Sequence, residues 1–529
     1  MNIKFNDKLA MKNSCWILYS IRHRVKVAFV STILPLLFLV SSAQANDLYI
    51  GTAEANITPD LPVALDGQFH LRIAHKARTQ LLANVMILES RNGSQSVEQA
   101  VFVACDLVGI PNVLTEMVRK QVQQQIPEID VTKIVLSAIH THTAPVMERT
   151  PSWGYNIPKE GVSQPEAYQK LFTKRVTDAI VKAWKSRKPG SVTWGQTYAN
   201  VGRNRRAVYE WGPDHKPDSR SSIYLDGTAK MYGNTNMPEF RSLEGYEDHD
   251  VNTIFFWDKA GKLIAANIEV ACPAQEVEGD TLVDADYWHA VRVSLKKRFG
   301  TSLLVTGWCG AAGDQSPHLI YGKKAEERMR NLQKLSRIDA IAKQIVRAVE
   351  EAYQVVKDDR HASVTLAHRV ELLKLPMRIV TDDEYEDSKK IVQETAAQIA
   401  ADSKAKDKIL AKMTWYDAVV KRYEMQKTNP APTYDAEIHV IRLGDVVICT
   451  NPFELFTDYG IRIQARSKAL QTITVQLAGP GTYLPTAKAV EGGSYSAIVQ
   501  SNQVGPEGGQ ILVDKTVKHI DELWQATNE

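Results

Sequence analysis

Between residues 83 and 308 short apolar runs alternate with amphipathic stretches, and this alternation narrows the possible folds more than any other feature. The runs are ANVMILES (83–90), QAVFVACDLVG (99–109), KIVLSAI (133–139), NTIFFWD (252–258), LIAANIEVA (263–271) and LLVTGW (303–308). Each is short enough for a strand and too short for a buried helix. LTEMVRKQVQQQ (114–125) and PEAYQKLFTKRVTDAIVKAWKSR (165–187) carry apolar residues at three- and four-residue spacing, so both read as helices. Strands return at AEIHVIRLGDVVICTNPF (436–453) and ITVQLAG (473–479). The pattern predicts an α/β fold with mixed β-sheets packed inside and helices outside. It also predicts one large domain over 46–529, with a charged helical insertion at about 382–427 whose charges read as a solvated face without chemistry.

The first 45 residues stand apart. Arg22, Arg24 and Lys26 precede VAFVSTILPLLFLV, and Ala43 and Ala45 follow at A-x-A spacing. That is a secretory signal peptide, with cleavage expected after Ala45 and a secreted or periplasmic mature chain. The apolar run falls short of the ~20 residues of a spanning helix, so no stable membrane span is expected once the signal is removed. A formal net charge of +3 over 529 residues, with no basic cluster interleaved with aromatics, argues against a nucleic-acid partner. Of five cysteines, Cys15 lies in the signal. Cys105, Cys272, Cys309 and Cys449 allow up to two disulfides, but apolar surroundings favour buried thiols at Cys105 and Cys449.

Polar residues gather just beyond the ends of the apolar strands, where α/β proteins build sites. SAIHTHTAP places His140 and His142 after IVL, and a strand end can turn both imidazoles to one side. ACPAQE (271–276), CGAAGDQSPH (309–318), NPFELF (451–456) and GTYLPT (481–486) occupy corresponding places. The long loop 202–250, opening GRNRRAVYEW, has the length of a binding loop, and its Arg205 and Arg206 are candidate substrate contacts. Asp284 and Asp286 read as a capping element before a helix.

Six of these segments, in order, resemble the neutral/alkaline ceramidase-like superfamily: GTAEANITPD, VACDLVGIP, SAIHTHTAP, AAGDQSPH, NPFELFTDYGIRI and GTYLPT. The resemblance implies a zinc-dependent catalytic domain, with His140, Glu454 and Tyr483 as metal ligands, His142 as an acid/base beside the metal and Ser316 at the position of the family's assigned nucleophile. The family's second histidine ligand aligns with Cys272. A thiolate binds zinc at about 2.3 Å, so Cys272 is either the fourth ligand or a small buried residue filling a vacated position. Glu276, His249 and His289 are alternative donors. His318 replaces the family's asparagine after Ser-Pro.

The expected activity is hydrolysis of an amide (N-acyl) bond. Zinc polarises the carbonyl and activates water. Ser316 attacks or donates a hydrogen bond. The substrate is a small molecule: a ceramide-like lipid of sphingolipid metabolism, or a glycan or other polar amide. Classical members carry a C-terminal β-sandwich, and the residues after GTYLPT are too few for such a domain of about 100 residues. A metal-free binding protein is the non-catalytic alternative.

Overall fold

The computed structural model describes residues 46–148, 154–211, 227–402 and 406–525. The expected signal peptide lies outside them, as does the middle of the 202–250 loop.

Eight strands form the larger sheet: β1 (Asp47–Asn56), β2 (Leu82–Asn92), β3 (Gln95–Cys105), β4 (Ile134–Ala138), β5 (Lys188–Tyr198), β6 (Asp250–Asp258), β7 (Leu263–Val270) and β8 (Leu304–Cys309). Their order is β8-β7-β6-β5-β1-β2-β3-β4. Only the outermost pairs, β3 with β4 and β7 with β8, run parallel. A second sheet holds β9 (Leu366–Pro376), β10 (Thr433–Leu443), β11 (Val446–Thr450) and β12 (Gln471–Val475), ending in the parallel pair β11–β12. The helices are α1 (Asn112–Gln125), α2 (Pro165–Ser186), α3 (Tyr287–Phe299), α4 (Arg337–Val356), α5 (Asp382–Ala401), α6 (Lys406–Thr428), α7 (Thr457–Arg466) and α8 (Pro506–Gln525), besides shorter ones.

The core explains the layering. Met86 and Leu88 of β2, Phe102 of β3 and Phe256 of β6 pack with Ile441, Ile448 and Ile473 of the second sheet. The alternate residues of β2 and β3, such as Val85, Ile87, Val101 and Val103, pack under α1 and α2. α3 and α4 cover the β6–β7 end, and α7 and α8 cover the outer face of the second sheet. The fold is therefore a helix–sheet–sheet–helix sandwich, the expected α/β class. Strands buried on both faces account for continuous apolar runs in place of strict alternation.

Parallel neighbours need crossovers, supplied here by α1 between β3 and β4, α3 between β7 and β8, and α7 between β11 and β12. Each pair points its carboxyl ends the same way. The Ala138 N–H donates to the Leu477 carbonyl at 3.2 Å, and the Gln476 N–H to the Cys309 carbonyl at 3.0 Å. The two sheets thus meet where their parallel strands end.

The four cysteines of the described residues are buried free thiols, so no disulfide forms among them. No described helix is long and apolar enough to cross a membrane.

Candidate active site

The loop after β4 turns sharply at His140, whose φ of 69° is left-handed backbone that non-glycine residues rarely hold. It is pinned on both sides. The Ile139 and Thr141 N–H groups donate to the Cys105 and Leu107 carbonyls at 3.1 Å each, and the Thr141 and Thr143 hydroxyls donate to the Asp284 carbonyl at 2.8 and 2.9 Å. His140 Nδ1 lies 2.6 Å from the Val108 carbonyl, so that nitrogen carries a proton, and in the neutral ring Nε2 holds the lone pair. Nε2 faces Glu454 Oε2 at 3.3 Å and His142 Nε2 at 3.2 Å.

Glu454 and Tyr483 are opposite partners in a two-residue parallel ladder, Glu454–Leu455 with Tyr483–Leu484, built by the loops after β11 and β12. Arg205 Nη2 donates to the Tyr483 hydroxyl at 3.1 Å and to the Gly313 carbonyl at 2.9 Å. Arg205 Nη1 donates to the Tyr232 hydroxyl at 3.1 Å, and that oxygen lies 2.9 Å from Ser316 Oγ. Gln275 Nε2 donates to Tyr232 at 2.8 Å, and the His318 N–H donates to Ser316 Oγ at 3.0 Å.

Electrostatics follow from burial and these contacts. Burial opposes charge on both His140 and Glu454, yet each offsets it for the other: the histidine is held above its usual range and the carboxyl below. Burial, then the neighbouring His140 charge, pushes His142 down to about 3. Glu278 resists burial through His318 and His142 and is held down at about 2. It faces His142 Nδ1 at 3.6 Å and His318 Nε2 at 3.5 Å. Buried Arg72 ties the two loops together, donating to the carbonyls of Glu278 at 2.6 Å and His142 at 2.7 Å.

His140, His142, Glu454 and Tyr483 line one cleft of about 250 Å³, and several other expected residues do not reach it. Cys272 is fully buried beside Ile139, Tyr287 and Trp288. Its thiol points to the Pro273 carbonyl at 3.6 Å, and burial pushes its pKa well up. Cys272 thus packs in apolar space and is not among the residues that line the cleft. Glu276 is committed to Arg337 (3.0 Å) and His249 faces Glu247 (3.4 Å), while His289 lines a different cleft. Ser316 has no exposed surface and sits behind Tyr232 and Arg205, off the cleft. Arg205 and Arg206, the expected substrate contacts, are likewise not among the residues that line the cleft. Arg205 is 2% exposed and Arg206 wholly buried, bonded to Glu244 at 2.5 and 3.0 Å and to the Gly493 carbonyl at 2.7 Å. Asp286 caps α3, as expected, accepting the Tyr287 N–H at 2.7 Å. The insertion does carry part of the site: Trp415, Ala418 and Arg422 of α6 line the cleft.

Among the described residues no three His, Cys, Asp or Glu side chains converge to hold a metal. A zinc site here therefore has to count Tyr483. His140 Nε2, Glu454 and Tyr483 are the side chains at this cleft that would hold such an ion. The Nδ1 bond to Val108 is the outer-shell contact that orients metal-binding histidines.

Two stacked sheets between helices, with a site where their parallel strand ends meet, define the class: an α/β sandwich with the neutral ceramidase fold. Among solved structures, neutral ceramidase from Pseudomonas aeruginosa superposes with a TM-score of 0.63 at 15% identity, over 90% of this chain and 75% of that one. A ceramidase complexed with C2 gives 0.61 at 14%, over 90% and 76%. No protein-family profile and no curated protein sequence matches the chain.

Proposed function

We propose that the chain is a zinc-dependent hydrolase of amide (N-acyl) bonds. The observation that carries this reading is the convergence of His140, Glu454 and Tyr483 on one cleft of a ceramidase-like fold. A bound zinc supplies Lewis acidity and a water acidified toward pH 7. The chain's own residues supply the rest. Val108 holds His140 in the tautomer with Nε2 free. Arg205 holds the Tyr483 hydroxyl, and its positive charge partly offsets the burial and the Glu454 charge that hold the Tyr483 pKa well up. His142, kept neutral by burial and with Nε2 beside His140 at the cleft, is placed to hydrogen-bond the reacting groups there. Ser316 stands one hydroxyl and one guanidinium away from Tyr483, so it supports the Tyr232–Arg205 chain and does not meet substrate. The leader pattern over 1–45 favours action outside the cytoplasm.

The test is hydrolysis of short-chain ceramide and of N-acylated sugars by chelator-stripped protein, with and without added zinc. Release of the free amine only when zinc is present supports the reading. Equal activity with and without zinc, or no activity on any N-acyl compound, refutes it.

A further inference from the structure

The stretch between β8 and α4 carries a further helix, Lys323–Gln333, none of whose side chains is buried. Gly322 (φ 68°) and Lys334 (φ 55°), both in left-handed backbone, bracket it and turn the chain sharply at each end. The helix is tied down by polar contacts: Arg203 Nη2 donates to Glu326 at 2.8 Å, and Lys343 Nζ of α4 donates to Gln333 at 2.7 Å. Ala325 and Met329, four residues apart on one face, line a groove of about 560 Å³ that the helix forms with α4. That volume lies within the 300–1,000 Å³ usual for ligand pockets.

The groove has two kinds of wall. Val201, Leu319, Met329, Leu335 and Ile341 are aliphatic or thioether side chains, and no aromatic ring is among the described residues that line it. Nothing there stacks on a flat ring, whereas flexible aliphatic and thioether groups suit a hydrocarbon chain. Arg203, Arg330, Arg337, Lys343 and Arg347 stand around them against a single lining carboxylate, Glu326. Arg203 is paired with Glu326, and Arg337 with Glu276 at 3.0 Å. Among the described residues, Arg330, Lys343 and Arg347 have no carboxylate within 4.0 Å. Arg330 meets only the Leu335 carbonyl at 3.4 Å, and Lys343 the Gln333 amide. Cations left uncompensated beside an apolar wall attract an anion, and the low dielectric of that wall strengthens the attraction.

We propose that this groove is a second ligand site, taking a single-chain aliphatic carboxylate with its head at Arg330, Lys343 and Arg347 and its chain along Val201, Met329 and Ile341. It shares no lining residue with the His140 cleft, so it stands whether or not the chain hydrolyses amides.

Calorimetric titration of the zinc-free full chain with decanoate, kept below its micelle-forming concentration, tests this. Decanol, which keeps the hydrocarbon and lacks the charge, should bind at least about tenfold more weakly, and inorganic phosphate should not bind at the same concentration. Added salt should weaken the decanoate complex. The double variant Lys343→Gln, Arg347→Gln changes two exposed side chains of α4, so its unfolding curve should match the parent while decanoate affinity falls about tenfold. Glu454→Gln, in the other cleft, should bind decanoate as the parent does. No decanoate binding, equal binding of decanol or phosphate, or an unaltered affinity in the double variant overturns the proposal. Binding that begins only where micelles form marks adsorption to a lipid surface and overturns it too, as does loss of binding in Glu454→Gln, which would place the ligand in the His140 cleft.

Discussion

Cys272→Ser separates a ligand from a core residue. Cys272 Sγ is fully buried with Ile139, Tyr287 and Trp288, and the carbonyl it faces is 3.6 Å away. A serine hydroxyl is drawn in closer to Cβ than a sulfur, so that carbonyl falls beyond the ~3.0 Å reach of an O–H donor. The Tyr287 hydroxyl donates to the Cys272 carbonyl at 2.6 Å, so its proton is already committed. The substitution thus buries a poorly paired hydroxyl, at a cost of about 1–3 kcal/mol. Urea unfolding should show that loss, while zinc affinity measured by competition with a chelator should stay within about twofold of the parent. In His140→Ala, zinc affinity should collapse instead. A tenfold or greater fall in zinc affinity for Cys272→Ser, with stability unchanged, would refute the assignment of Cys272 to the core.

Three further outcomes follow from the same contacts. Asp106 and Arg292 form a two-pronged buried pair at 2.6 and 2.7 Å that fixes α3 beneath the site, and Arg292→Met should cost about 3–5 kcal/mol in denaturant unfolding by leaving Asp106 unpaired. Burial lifts Asp286 from 3.8 to about 7, so its contribution to stability is full below the unfolded value and is lost as pH rises to about 7. Asp286→Asn should therefore make the unfolding free energy flatter between about pH 4 and pH 7, and an unchanged slope would count against a buried, proton-bound carboxyl. Arg205→Met should leave zinc binding weakened and Tyr483 harder to deprotonate, seen as a higher-pH onset of zinc uptake, whereas an unaltered uptake profile would remove Arg205 from its role behind Tyr483.

The parts of the fold visible in the sequence were those with a local pattern. QAVFVACDLVG and KIVLSAI are runs buried on both faces, and such runs leave a continuous apolar trace. β5 was missed because KPGSVTWGQTY carries Pro189, Gly190 and Gly195, residues that normally argue against a strand. Gly190 is required there, since a side chain would strike the Trp257 carbonyl of the neighbouring strand. At the site, His140, Glu454 and Tyr483 stood out because each follows an apolar strand within a recognisable segment. Tyr232, Gln275, Glu278 and Arg72 carried no such signal. Tyr232 meets Ser316 across 84 residues and Arg72 meets Glu278 across 206, and only the folded chain brings these partners together. Trp415 was hidden differently, inside a charged helical pair whose charges read as a solvated face without chemistry.

The most direct measurement is zinc titration of chelator-stripped protein, following bound metal and amide hydrolysis in the same samples. The account predicts that both rise together and saturate at one zinc per chain, and that Glu454→Gln, still folded, shows neither. Full hydrolysis by the metal-free chain, or tight stoichiometric zinc binding by Glu454→Gln, would contradict a centre built on His140, Glu454 and Tyr483.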